Sequence, residues 1–287
     1  ALEVEPTVEV DGKHIPMEGY KAIVRNDTGK TLGVFKQGYQ PHQPSQLVDL
    51  TMDLLGNEVG YTSAGCLRDG GVIWLEASVL REYHNDAAGF GFVPNLLVTT
   101  SFNGTLITDA IRTAKYSICD NTHEIARNAK VARVGAKHTK FSLDKLANSG
   151  SLLGIIEQDA VDLDAEITKM VSTEVSGKQF GKFMDLWVPI PEWKEGEPTN
   201  SLSIATKKRD QIQTMWVSDP RVAPWKGTLL GAHNLISTWS EHGSALPDDD
   251  MAALGKRFHR NQLAILSGGL RKAQNEAEKA LEMAMSS

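Results

Sequence analysis

The sequence predicts an α+β fold, in which an antiparallel β-hairpin meander in the N-terminal half packs against helices and the C-terminal half is helical. Three observations support this prediction. Turn signals separate β-rich segments over the first 115 residues, helical periodicity follows residue 121, and strand and helix patterns do not alternate as in α/β proteins. Hydrophobic residues make up 41% of the 287-residue chain, which is enough for a substantial core.

Three pairs of strand-like segments account for most of the N-terminal half. Strands are expected at 20–25 and 31–35, at 59–67 and 72–80, and at 95–102 and 105–113. Asn103-Gly104 joins the last pair and predicts a two-residue type I′ turn, because Asn-Gly readily takes two positive φ angles. A short helix over 46–55, ended by Gly56, is expected between the first two hairpins.

Helical patterns fill the rest of the chain. The spacing of Asn121 and Glu124 predicts a helix toward residue 129, and a longer stretch over 142–175 carries one apolar stripe, interrupted near two glycines. A proline-rich segment near 188–200 predicts a long loop. The remaining helices are expected over 203–217, 228–240, 251–266 and 270–284.

We expect two parts within one compact unit. Residues 1–141 form a β-rich core with a basic segment, and residues 142–287 form a mainly helical part packed on it. Two cysteines are too few for a disulfide framework, and the chain has neither a membrane span nor a signal-peptide pattern. These features predict a cytoplasmic protein without membrane association.

The sequence lacks the motifs of several enzyme classes. It has no P-loop, no G-x-G-x-x-G, no G-x-S-x-G and no His-Glu-x-x-His. ATP-driven and serine-hydrolase chemistry therefore lack support. We expect a protein that is not an enzyme and that needs no cofactor or metal.

Positive charge is concentrated between residues 112 and 140. Seven Lys or Arg residues oppose only Asp120 and Glu124 there, a local balance of +5 in a chain that carries −6 overall. A basic face gathered on an acidic protein predicts a polyanionic partner. The predicted nucleic-acid-binding residues in this stretch are Arg112, Lys115, Tyr116, Arg127, Lys130, Arg133, Lys137, His138 and Lys140.

Each part of the basic stretch has a proposed role and a simpler alternative. At the end of the last hairpin, Arg112 and Lys115 would contact phosphates while Tyr116 stacks on a base; the alternative is a solvated strand edge. The next cations recur every third residue along the expected helix, so they would lie near one face and contact the nucleic acid. The alternative is an ordinary exposed helix face. A shorter basic run, Lys207, Lys208 and Arg209, is expected at a helix start. It would form a second phosphate contact; the alternative is an ordinary solvated patch.

An acidic cluster follows the basic stretch. Its members are Glu157, Asp159, Asp162, Asp164 and Glu166. The cluster lacks the glycine and the final ligand spacing of a calcium loop. It is therefore interpreted as a solvated helix face, or as a surface that meets a basic face of a neighbouring subunit.

Several motifs, in this order, resemble a family of phage/plasmid-like bacterial proteins of unknown function. They are Ile118-Cys119-Asp120-Asn121-Thr122, Lys137-His138-Thr139, Gly227-Thr228, Gly231-Ala232-His233-Asn234 and Trp239-Ser240-Glu241-His242. The resemblance covers about residues 20–245. Asp120 stands where the family pattern has Asn, and Leu229 and Leu230 stand where it has an aromatic residue. The strand-rich core followed by helices is further similar to ring-forming single-strand annealing proteins.

The resemblance and the basic stretch together predict a function. We expect a protein that binds single-stranded DNA in phage or plasmid recombination by strand annealing, as a homo-oligomeric ring or filament. One alternative is a protein-interaction module that docks an acidic partner. Another is a metal-dependent nuclease with Glu76, Asp109 and Asp120 on neighbouring strands.

Overall fold

The computed structural model describes residues 1–56, 59–116, 122–124, 133–147, 153–193, 199–243 and 269–286. Strands dominate the first half and helices the second, which confirms the predicted α+β class. The strands are β1 (Leu2–Val4), β2 (Thr7–Val10), β3 (Lys13–Pro16), β4 (Tyr20–Val24), β5 (Thr31–Lys36), β6 (Val59–Leu67), β7 (Val72–Val79), β8 (Tyr83–Asn85), β9 (Phe90–Ser101), β10 (Thr108–Tyr116), β11 (Thr122–Glu124) and β12 (Arg133–Ala136).

Seven α-helices occur within the described ranges. They are α1 (Pro44–Leu55), α2 (Ser142–Ala147), α3 (Leu153–Ser172), α4 (Gly177–Trp187), α5 (Asn200–Ser218), α6 (Leu229–His242) and α7 (Gly269–Met285). Within these ranges, none of the helices is both long and apolar enough to cross a membrane. The helix expected over 251–266 lies outside the described residues.

The described residues form two compact units. The first contains residues 1–83, 92–116 and 122–163, and the second contains residues 84–91 and 164–286. The division falls within α3, whereas the sequence placed a boundary between residues 141 and 142.

The first unit is built on an antiparallel sheet with the order β11-β10-β9-β7-β6, in which β12 also pairs with β10. Two smaller sheets, β1-β4-β5 and β2-β3, come from the N-terminal residues. Apolar residues of α1, α2 and the start of α3 pack on one face of the large sheet. This core contains Leu47, Leu50, Leu54, Leu55, Leu75, Ala77, Val79, Leu96, Val98, Ala110, Leu146 and Ile156.

The connection between β9 and β10, expected as a two-residue turn at Asn103-Gly104, is longer than predicted. Gly104 has a positive φ of 72°, but Asn103 does not belong to the positive-φ residues of the described chain. The Asn103 side chain instead accepts hydrogen bonds from the backbone N–H and the hydroxyl of Thr105. Because this local contact competes with strand pairing, residues 102–107 form the connection and β10 begins at Thr108.

Two further predictions in the basic stretch were wrong. Residues 122–124, expected to begin a helix, form β11 opposite Thr113–Lys115 of β10. Arg133, expected on the same helix face as Arg127 and Lys130, begins β12 opposite Ile111. Strand β10 thus has partners on both sides and is not the solvated edge of the alternative interpretation.

The second unit has a helical core to which α4, α5, α6 and α7 contribute. Helix α7 packs against α4 and α6, as its apolar stripe required. The sequence analysis missed α4, although a capping box marks its start: Ser176 Oγ accepts from the Gln179 backbone N–H, and the Gln179 side chain accepts from the Ser176 backbone N–H.

A buried ion pair joins the sheet of the first unit to α3. Arg112 on β10 is 1% exposed, and its Nη1 lies 2.5 Å from Oδ2 of Asp159 on α3. Burial raises the pKa of the Asp159 carboxyl, while the charge of Arg112 opposes that rise. A guanidinium in this position neutralises its neighbour inside the unit and is not exposed to contact a phosphate, which corrects the predicted role of Arg112.

Loss of one partner from this pair should destabilise the protein strongly. Asp159→Ala leaves the buried Arg112 charge without this carboxylate, and the free energy of unfolding should fall by about 3–5 kcal/mol. The double variant Arg112→Met with Asp159→Leu should recover most of that loss, because neither charge of the pair then remains. Urea unfolding of both variants measures the effect. A loss below about 1 kcal/mol in Asp159→Ala, typical of a surface pair, would contradict this assignment.

Candidate nucleic-acid interface

An exposed turn between β12 and α2 carries two of the predicted cations. Lys137 and Lys140 are exposed, and Lys140 Nζ lies 5.1 Å from the ring centroid of Phe141. The Phe141 side chain is 61% exposed and its backbone has a φ of 65°. A bulky residue rarely adopts this conformation, so its presence at the surface needs a reason other than core packing. We call residues 137–141 the basic turn.

Stacked rings lie beneath the basic turn. The ring centroids of Phe35 and Tyr39 are 4.0 Å apart, those of Tyr39 and His138 are 4.8 Å apart, and those of His138 and His42 are 4.6 Å apart. His138 is only 8% exposed, and its two ring nitrogens lie 3.1 Å from the Gln40 carbonyl and 3.2 Å from the Leu106 carbonyl. His138 therefore anchors the basic turn instead of facing a ligand, contrary to prediction.

A chain of buried hydrogen bonds fixes the other end of the turn. The Ser142 hydroxyl donates to the Thr139 carbonyl at 2.6 Å. Its oxygen therefore accepts from Nε2–H of His42 at 3.2 Å, which leaves Nδ1 of His42 to accept from the Thr108 hydroxyl at 2.6 Å. The Thr108 oxygen in turn accepts from Thr100 at 2.7 Å. These assignments select a single tautomer of His42.

Burial lowers the pKa of both histidines. It lowers the pKa of His42 to about 4, with a smaller contribution from His138. Burial also lowers the pKa of His138, against the opposing effect of its hydrogen bonds to Gln40 and Leu106. The exposed positive charge of the basic turn comes from Lys137 and Lys140, because His138 is buried.

The structure describes the backbone of three of the remaining predicted residues of the basic stretch. The backbone of Lys115 pairs with Thr122, and that of Tyr116 pairs with Phe92, while Arg133 begins β12. The structure does not describe the side chains of these three residues. Arg127 and Lys130 lie outside the described residues altogether. Their predicted roles stay predictions.

Phe141 was missed by the sequence analysis. Its only sequence signal is its position, directly after a lysine and directly before the Ser142 helix start. An exposed aromatic ring between a cation and a helix end is the arrangement that stacks on unpaired bases. Exposure, which the sequence does not give, separates this ring from a core phenylalanine.

The three consecutive cations of α5 have separate environments. The helix begins at Asn200, so these residues lie in its middle and not at its start as predicted. Lys207 is exposed, whereas Arg209 Nη2 pairs with Asp185 Oδ1 at 2.8 Å. Lys208 is half-buried between α4 and α6. Because successive helix residues point about 100° apart, the three do not form one phosphate contact.

Lys208 faces a cavity of about 490 Å³ within the second unit. Its Nζ lies 5.7 Å from the ring centroid of Trp187 and 5.7 Å from that of Trp239. Burial lowers the pKa of the Lys208 ammonium. The other lining residues are Leu186, Ser240, Gly243, Ala273 and Glu276.

The carboxylates of the nuclease alternative have ordinary partners. Glu76 accepts from Ser63 at 2.8 Å and from Asn95 at 3.1 Å, and Asp109 accepts from Thr99 at 2.5 Å. The described residues contain no group of three or more His, Cys, Asp or Glu side chains that could hold a metal ion. Asp120, the third member of the hypothesis, lies outside them.

The Gly227-Thr228 motif forms the start of α6. Thr228 Oγ1 accepts from the Gly231 backbone N–H at 3.2 Å, and Gly227 has a φ of 85° that favours glycine. A Cβ atom on Gly231 would lie 2.1 Å from the Trp225 carbonyl oxygen, so the close approach of the chain requires glycine there. This part of the motif builds the helix start.

The buried histidines should make stability depend on pH. A fall of the His42 pKa from 6.5 unfolded to about 4 folded corresponds to about 3 kcal/mol. That stability is present above pH 6.5 and is lost as the pH falls toward 4, because the unfolded state then binds the proton more tightly. The midpoint temperature of thermal unfolding should therefore decrease as the pH is lowered from 7 to 5.

The variant His42→Gln should flatten this dependence although it lowers stability at pH 7. His14→Gln, at an exposed position on β3, is the matched control and should keep the slope of the wild type. An unchanged slope in His42→Gln would show that other groups cause the dependence.

Comparison with known proteins gives one match. The model of a family described as a domain of unknown function, DUF932, matches residues 31–283. No curated protein and no solved structure matches the chain. Since the match spans most of the chain, from β5 to α7, this protein belongs to the DUF932 family.

Proposed function

We propose that this protein binds single-stranded nucleic acid through the basic turn. The observation that carries the proposal is the exposed Phe141 ring, held at a positive φ beside the exposed Lys137 and Lys140. Lysines can neutralise phosphates while an aromatic face stacks on a base, and neither contact requires a particular sequence. This combination favours unpaired strands, since bases in a duplex are already stacked.

The charges of the basic turn are available for a ligand. The ion pairs found within the described ranges do not include Lys137 or Lys140. Arg112 and Arg209, by contrast, have carboxylate partners. An exposed cation that is not held in an ion pair is available to attract a phosphate.

The anchoring of the turn also supports a binding role. Its ends are held by His138 in the ring stack and by the hydrogen bonds of Ser142. A ligand therefore meets side chains whose backbone is already ordered. Less conformational entropy is lost on binding than in a free loop.

The finer proposal is single-strand annealing in phage or plasmid recombination, by a homo-oligomeric ring or filament. Annealing requires no bond chemistry, because a protein that neutralises one strand and leaves its bases accessible allows a complementary strand to pair. The resemblance of the motifs to a phage/plasmid-like family, and of the strand-then-helix order to annealing proteins, supports this step. Outside residues 112–140 the chain carries −11, and such acidic surfaces would suit contacts with basic faces of neighbouring subunits.

Charge reversal in the basic turn should weaken nucleic-acid binding. The double variant Lys137→Glu with Lys140→Glu should lower the affinity for a fluorescent single-stranded oligonucleotide about tenfold or more at low salt. Loss of two phosphate contacts should also reduce the slope of log affinity against log salt by about 1.4. Fluorescence anisotropy over a salt series measures both quantities.

A matched control separates local charge from net charge. Lys169→Glu with Lys178→Glu reverses two exposed lysines on α3 and α4 and changes the net charge from −6 to −10, as the first double variant does. The control should bind within about twofold of the wild type, apart from a general electrostatic effect. Equal losses in the two double variants would count against the basic turn.

Annealing and its alternatives give different results in one assay. Two complementary oligonucleotides carrying a donor and an acceptor dye should pair faster with the protein, equally in EDTA and in magnesium. Cutting that requires magnesium would indicate the nuclease, and neither binding nor cutting would indicate the protein-interaction module. Light scattering with and without oligonucleotide should show an assembly of many subunits, whereas a monomer in both conditions would oppose annealing.

A further inference from the structure

We propose that the cavity in the second unit is a binding site for a nucleoside monophosphate, a planar aromatic base that carries a phosphate. The site is formed by side chains of α4, α5, α6 and α7 and does not involve the basic turn. The inference is independent of the proposed nucleic-acid binding.

Two indole rings give the cavity its flat apolar walls. Trp187 on α4 and Trp239 on α6 both line it, and both are only partly buried although large aromatic side chains usually dominate cores. Gly243 permits this position of Trp239, because a Cβ atom on Gly243 would lie 2.6 Å from the Trp239 ring. Partly exposed indole rings in a concave site can contact a planar ring, as aromatic side chains do in small-molecule and base-binding sites.

Lys208 supplies the positive charge. Its ammonium interacts with the faces of both indole rings, at 5.7 Å from each centroid. In the described part of the chain no acidic side chain forms an ion pair with it. A half-buried cation that contacts aromatic rings has lost part of its hydration. A phosphate beside it would compensate for that loss with a charge-assisted hydrogen bond.

The size and the remaining lining fit the same ligand class. About 490 Å³ lies within the range of about 300–1,000 Å³ typical of small-molecule sites. Glu276 lines the cavity from α7 and can accept hydrogen bonds from sugar hydroxyls. Its negative charge also disfavours a ligand that is only an anion, so a phosphate attached to a sugar and a base is favoured over a free phosphate.

Calorimetric titration of the full chain with adenosine 5′-monophosphate tests the site. We expect saturable binding with a dissociation constant below millimolar. Adenosine, which lacks the phosphate, and ribose 5-phosphate, which lacks the ring, should each bind about tenfold more weakly or worse. Adenosine that binds as tightly as its monophosphate, or a folded protein that binds none of the three, would overturn the proposal.

A neighbouring lysine provides the control for the charge. Lys208→Met keeps the aliphatic stem and should weaken binding of the monophosphate at least about tenfold. Lys207→Met removes the same charge one residue away, outside the cavity, and should have no more than about a twofold effect. Equal effects of the two variants would overturn the proposal.

Two further measurements keep the test decisive. Circular dichroism checks that Lys208→Met folds, and Lys208→Gln replaces it if it does not. The double variant Lys137→Glu with Lys140→Glu should bind the monophosphate like the wild type. If this variant keeps its affinity for both the oligonucleotide and the monophosphate, the basic turn is refuted and the cavity site stands. If it loses oligonucleotide binding while the wild type binds no monophosphate, the cavity site is refuted and the basic turn stands.

Discussion

The candidate interface depends on the buried hydrogen-bond chain that runs from Thr100 through Thr108 and His42 to Ser142. Each hydroxyl in this chain has one proton to donate, so the partners of one residue are set by those of the next. The chain connects strands β9 and β10 to His42, two residues before α1, and to the first residue of α2. A buried polar chain of this kind is stable only when complete, because an unpaired member costs about 1–3 kcal/mol.

Because every member of these buried hydrogen bonds has a partner, they can hold the exposed basic turn in one conformation. The basic turn has few apolar contacts of its own, since Lys137, Lys140 and Phe141 all point to solvent. Its order comes from His138 and Ser142, which are buried on either side of the exposed residues. Exposed cations and an exposed ring are thereby presented on a backbone that the core of the first unit fixes.

The described cations of this protein have different environments that its sequence does not distinguish. Arg112 neutralises Asp159 inside the first unit, Arg209 pairs with Asp185 at a partly exposed position, and Lys208 lies between two indole rings. A count of lysines and arginines in the sequence does not separate these environments. The basic turn and the cavity differ in the same respect: one presents charge to water, and the other withdraws it from water beside aromatic faces.

Local patterns in the sequence were sufficient for the α+β class, for the hairpin of β4 and β5, for the pair β6 and β7 and for the apolar stripe of α3, because periodicity reports which face of an element is buried. They were not sufficient for β11 and β12, whose short segments become strands only through pairing with β10. Arg112 is buried because it pairs with Asp159, which lies 47 positions later in the chain. His138 is buried because it stacks with Tyr39 and His42. The sequence thus determined most of the elements and the total charge, whereas the tertiary structure decided which side chains remain exposed, since burial depends on residues far apart in the chain.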